Sequence, residues 1–189
     1  MRKNGINNKD TISKNDDPGK EFRAITLRLS EWKDYFPDLQ CKLMLSKGLN
    51  HCVDTAGMLI SGYLMTKKNL FLILQCSGDI DNQLDSLNTY LMYEIKRDYL
   101  WKEILLGKRT ENDPAIDFNW NFDENAFQVF PLVNNELINR LCGKEVSVDY
   151  HTVEGELLKD VTINNNFCSV GNYMDDRLIG PVVVNTKMI

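Results

Sequence analysis

The sequence predicts an α+β fold, a mostly antiparallel sheet with one long helix packed across it. Three observations carry this expectation. Ala24 to Leu29 alternates apolar and polar residues, the two-residue period of a strand with one buried face. Leu59 to Met65 and Asn69 to Gln75 form two apolar runs joined by the polar turn Thr66-Lys67-Lys68, the pattern of a hairpin. Ile80, Leu84, Leu87, Leu91 and Ile95 then recur at helical spacing, which predicts an amphipathic helix over about 80–97 with Leu84, Leu87 and Leu91 buried.

The elements follow in chain order. Residues 1–19 are rich in Asn, Asp, Lys, Ser and Gly without periodicity, so a disordered tail is expected. Ile25, Leu27 and Leu29 share one face of the first strand. Pro37 suits the start of a helix. Leu39, Leu43 and Ser46 are read as one face of it, with Gly48 as its stop and a second short helix from Asn50 to about Met58. Leu70 to Leu74 is apolar on both faces, as for a strand covered on both sides. Ser77-Gly78-Asp79 breaks that strand and caps the long helix.

Thr110 to Glu124 lacks any period and reads as a long loop. Phe127 to Leu132 is a strand candidate and Asn134 to Leu141 a short helix. Val146 to Tyr150 and Leu157 to Ile163 are read as two strands around the Glu154-Gly155 turn, and Pro181 to Val184 as a last strand. The expected organisation is a disordered tail over 1–19, an α/β core over 20–109, and a C-terminal extension over 110–189 whose extra α/β elements pack on the same domain.

Composition narrows the function classes. The hydrophobic share of 43% and charged share of 26% are ordinary for a folded chain of 189 residues. No apolar run is long enough to span a bilayer, so no membrane association is expected. The N-terminal residues lack the apolar stretch of a secretory signal. The cysteines Cys41, Cys52, Cys76, Cys142 and Cys168 are odd in number and contain no Cys-x-x-Cys pair. Both points favour reduced thiols and a cytoplasmic location. The net charge is −5, unevenly spread: residues 1–109 hold 17 Lys and Arg against 14 Asp and Glu, and residues 110–189 hold 5 against 13. Nucleic-acid binders need a basic footprint, which the acidic C-terminal half does not offer and the N-terminal half offers weakly.

Catalytic signals are missing. His51 and His151 stand one hundred positions apart without paired ligands, so no metal site is expected. Asp79, Asp81 and Asp85 resemble the opening of a calcium loop. Leu84 and Tyr90, however, occupy the positions where such a loop needs glycine and glutamate, and helix capping is the better reading. No Walker A, Gly-x-Ser-x-Gly or Gly-x-Gly-x-x-Gly motif occurs. No cofactor or catalytic residue is assigned.

The stretch Gly62-Tyr63-Leu64-Met65-Thr66-Lys67-Lys68-Asn69-Leu70-Phe71-Leu72-Ile73-Leu74 resembles the central hairpin of the one-tyrosine HUH transposases of the REP-associated kind, which typically reads AYVVMPNHVHLLL. Tyr63 and the apolar positions match without a gap, and the resemblance covers residues 23 to about 105. It implies a ferredoxin-like antiparallel sheet with helices packed on one face. The two metal-binding histidines of that family fall on Asn69 and Phe71. Phenylalanine cannot ligate a metal, so the resemblance implies a degenerate, transposase-like domain without strand-cleaving activity. No motif selects a nucleophile among Tyr90, Tyr93 and Tyr99.

Two functions remain open. One is a non-catalytic interaction module whose partner is another protein, met through the acidic C-terminal half or the loop aromatics Trp120 and Phe122. The other is single-stranded nucleic-acid binding through Lys67 and Lys68 at the hairpin and Lys96 and Arg97 on the long helix, with an aromatic platform for stacked bases.

Overall fold

The structure, a computed structural model, describes residues 22–75, 79–108, 110, 125–144, 162, 165–174 and 180–186. Strand β1 (Phe22–Leu29) leads through a 3-10 turn (Glu31–Asp34) into α1 (Asp38–Ala56). Strands β2 (Leu59–Met65) and β3 (Asn69–Gln75) form the expected hairpin, and α2 (Ile80–Leu105) follows. Then come β4 (Phe127–Pro131), α3 (Asn135–Leu141) and the short α4 (Val170–Tyr173). The strands form one sheet in the order β2-β3-β1-β4 with every neighbouring pair antiparallel. This is the split βαβ, ferredoxin-like arrangement of an α+β fold.

Alternation along the strands decides the two faces. Ile25, Leu27 and Leu29 of β1 and Leu70, Leu72 and Leu74 of β3 point into one core, closed by Leu45 and Leu49 of α1 and Leu84, Leu87 and Leu91 of α2. Leu64 and Ile73 point the other way, into a smaller core with Leu137 and Leu141 of α3, Cys142, Cys168 and Val170. So β3 is apolar on both faces around Leu72 and Ile73 because both faces are covered there. The helix starts follow their caps. Asp79 accepts from the Asp81 and Asn82 backbone N–H groups, and Asn134 from that of Leu137, the geometry that satisfies first-turn donors.

Several boundaries differ from expectation. α1 is one helix through Gly48 and stops at Gly57, whose φ of 65° is left-handed as glycine permits. Gly48 instead lets two helices approach: a Cβ there would lie 3.0 Å from Leu87 Cδ1 and 3.1 Å from Leu91 Cδ2. The buried face of α1 is Cys41, Met44, Leu45, Leu49 and Cys52, while Leu39 and Leu43 are exposed. α2 continues two turns past Arg97. Pro181 to Val184 is not a strand. Val182 is buried there, and Asn50 holds the segment by accepting from the Val183 N–H and donating to the Pro181 carbonyl. The tail over 1–19, the loop with Trp120 and Phe122, Val146 to Tyr150, all of Leu157 to Ile163 except Thr162, and Cys76 lie outside the described residues. No helix among the described residues is long and apolar enough to cross a membrane.

Candidate nucleic-acid interface

α3 covers only part of the second sheet face. Among the described residues, the stretch toward the β2–β3 turn is only partly covered, with Phe71 packed at its margin against the smaller core, and the strand register dictates what it presents. Phe71 of β3 pairs with Thr26 of β1, and Thr26 with Phe130 of β4. One step nearer the turn, Asn69 pairs with Arg28, and Arg28 with Gln128. Cross-strand partners share a face, so these six side chains form two parallel rows. Arg28, Gln128 and Phe130 are exposed; Thr26, Asn69 and Phe71 are half-buried. One is a cation and none is a carboxylate.

Lys67 and Lys68 are exposed at the tip that borders these rows. The turn is held from within: Thr66 Oγ1 accepts from the Asn69 N–H at 3.0 Å, and the Thr66 N–H donates to the Asn69 carbonyl at 2.9 Å. The Leu29 N–H donates to the Lys68 carbonyl at 2.9 Å, which ties the tip to β1 and brings both lysines to the end of the sheet where Arg28 stands.

Lys96 and Arg97 are elsewhere. They belong to α2, on the opposite layer of the sheet. Arg97 is committed to two carboxylates, with bonds of 2.5 and 2.6 Å to the buried Glu94 and 3.0 Å to Asp98. The four residues expected to act together thus fall in two places, Lys67 and Lys68 at the hairpin tip and Lys96 and Arg97 on the helix layer. Arg28, Thr26, Gln128 and Phe130, which share this face, were not among the residues singled out from the sequence. Their signal was present: once Ile25, Leu27 and Leu29 are read as inward, Thr26 and Arg28 must face the other way.

Asn69 and Phe71 are half-buried on the second sheet face, and Phe71 packs against the smaller core. No group of three or more His, Cys, Asp or Glu that could hold a metal occurs among the described residues. Tyr90 stacks on His51 with ring centroids 4.4 Å apart, and burial, then the Glu94 charge, raises its pKa. Tyr99 packs edge-on against Tyr35. Tyr93 is exposed, and all three tyrosines belong to the helix layer. The thiols of Cys41, Cys52, Cys142 and Cys168 are buried and pushed up from 9.0 to about 11 by desolvation, which makes them poor nucleophiles. No family model matches the chain, and no curated protein or solved structure shows significant similarity to it.

Proposed function

We propose that this chain is a non-catalytic binding module whose second sheet face takes single-stranded nucleic acid. The observation that carries this reading is the pair Phe71 and Phe130 flanking Thr26, bordered by Arg28, Lys67 and Lys68 with no carboxylate in the group. β3 and β4 are two strand spacings apart, so the two rings stand about 10 Å from each other. They offer separate platforms for stacked bases, with cations alongside for the backbone. Asn69, Gln128 and Thr26 add donors and acceptors for base edges. The net charge of −5 does not oppose a local footprint of this kind, because only nearby charges act strongly through 0.15 M salt. The likeness to a transposase hairpin without its histidines points the same way.

A protein partner is the second reading. It is favoured by the C-terminal end of α2, where Trp101, Leu105 and the following Leu106 are 51%, 83% and 59% exposed.

Titration of a labelled single-stranded oligonucleotide at several salt concentrations tests the proposal. Binding that weakens as salt rises, with a slope of about 0.7 per phosphate contacted, supports it. Absence of binding at low salt removes it and leaves the protein-partner reading.

A further inference from the structure

We propose that β4 is a strand-pairing edge for a second copy of this chain, and that the protein forms a closed dimer through it. The inference is independent of what the second sheet face binds.

The two edges of the sheet are treated differently. The outer side of β2 is already used: the Met65 N–H donates to the Phe167 carbonyl, the Ser169 N–H to the Tyr63 carbonyl, and the Asn185 N–H to the Ile60 carbonyl. β4 has no such cover among the described residues, and Gln128, Val129, Phe130 and Pro131 are all exposed.

The hydrogen-bond alternation shows which groups face outward. The Ser30 N–H donates to the Ala126 carbonyl and the Leu132 N–H to the Ala24 carbonyl. Residues of one parity in an antiparallel pair exchange bonds with the neighbour, and those of the other parity point away. Gln128 and Phe130 thus face β1, while Phe127, Val129 and Pro131 direct their backbone groups away from the sheet.

That edge is self-complementary. A two-fold axis through Val129 lets the two Val129 residues exchange both N–H···O=C bonds, and lets each Phe127 N–H donate to the Pro131 carbonyl of the second copy. Pro131 has no N–H to offer, which limits the pairing to this window. Phe127 to Val133 contains no charged residue, so two copies meet without like-charge repulsion. Edge strands that must stay single usually carry charge or proline; β4 carries no charge, and its proline stands at the strand end, two residues from the Val129 pair. Val129 is 44% exposed and Val133 is 82% exposed, which adds apolar surface at the seam. Because β2 is already covered, association through β4 stops at two copies, an isologous closure.

Sedimentation of the full chain tests this directly. The wild type is expected to be dimeric. Val129→Lys sets like charges against each other at the axis and should weaken the dimer at least about tenfold. Val129→Pro removes only an outward N–H and should do the same, with the far-ultraviolet circular dichroism of both variants unchanged. Register is read by oxidative cross-linking against a wild-type control. Residues exchanging bonds across the axis have Cα atoms about 5.5 Å apart, within disulfide reach, so Val129→Cys should cross-link readily. Gln128→Cys, whose copies sit diagonally about 7–8 Å apart, should not. A monomeric wild type overturns the proposal. So does a dimer indifferent to Val129→Lys, or one that cross-links through Gln128→Cys in preference to Val129→Cys.

Discussion

Phe71 and Phe130 stand on either side of Thr26 in one cross-strand row, although they are 59 positions apart in sequence. The row exists because β1 pairs with both β3 and β4. A ring on each outer neighbour then leaves a small residue between them, with Phe130 exposed and Phe71 half-buried against the smaller core.

Replacing Phe130 with Ala removes the exposed ring without disturbing the core, since Phe130 is 43% exposed. Loss of one base–aromatic stack costs about 1–3 kcal/mol, so affinity for a single-stranded oligonucleotide should fall roughly 5- to 150-fold. The salt slope should hardly change. The opposite signature is expected of Lys67→Gln/Lys68→Gln, a smaller slope with modest loss at high salt. Lys96→Gln should change neither. A Phe130→Ala variant that binds like wild type would place the nucleic acid elsewhere.

Arg97 should prove structural. Its guanidinium grips Glu94, which is 4% exposed. Arg97→Ala leaves that carboxylate without its charge partner, and a stability loss of about 1–3 kcal/mol follows. Adding Glu94→Gln to the same chain should recover part of the loss in chemical denaturation. An Arg97→Ala variant as stable as wild type, but defective in binding, would return Arg97 to the list of ligand contacts.

The fold was legible where periodicity was strong. The strand at Ile25, Leu27 and Leu29, the hairpin, and the helix bearing Leu84, Leu87 and Leu91 all follow from spacing, because burial on one face imposes the period. α1 was misjudged because its buried face is built from Cys41, Met44 and Cys52, while Leu39 and Leu43 lie outside; hydrophobicity alone favours the wrong stripe. Gly48 suggested a stop, but helix–helix approach needed it. The candidate face was half legible. Lys67 and Lys68 sit at a turn that any reading finds, and Arg28 follows from alternation. Phe130 joins them only through the β1–β4 pairing, a contact about one hundred residues long-range that no local pattern encodes.

Two glycines make a stability test of close packing. At Gly62 a Cβ would lie 2.8 Å from the Leu141 carbonyl oxygen and 3.0 Å from Ile73 Cδ1. Backbone cannot step aside as a side-chain tip can, so Gly62→Ala should cost about 1–3 kcal/mol and loosen α3 from the sheet. At Gly48 the neighbours are leucine methyl groups, and Ala gains about 1 kcal/mol of helix propensity. Gly48→Ala should therefore lie within about 1 kcal/mol of wild type. Thermal melts that rank the two variants in reverse order would contradict the packing of α3 against β2.

Alkaline pH should destabilise the protein through its buried thiols. Desolvation pushes Cys41, Cys52, Cys142 and Cys168 up from 9.0 to about 11. A thiol is neutral when protonated, so the folded state holds these protons more tightly than the unfolded chain does. The resulting stabilisation is complete below about pH 9 and is lost progressively as pH rises from 9 through about 11. Each thiol contributes on the order of 1–3 kcal/mol. The same shift makes the native thiolate fraction at pH 8 about one in a thousand, against about one in ten when unfolded. Alkylation of these four thiols should be roughly a hundredfold slower in the native state. A Cys76→Ser background isolates them from the fifth cysteine. Rapid native labelling at pH 8, or stability that stays flat from pH 8 to 11, would show that these side chains are not sealed inside the two cores.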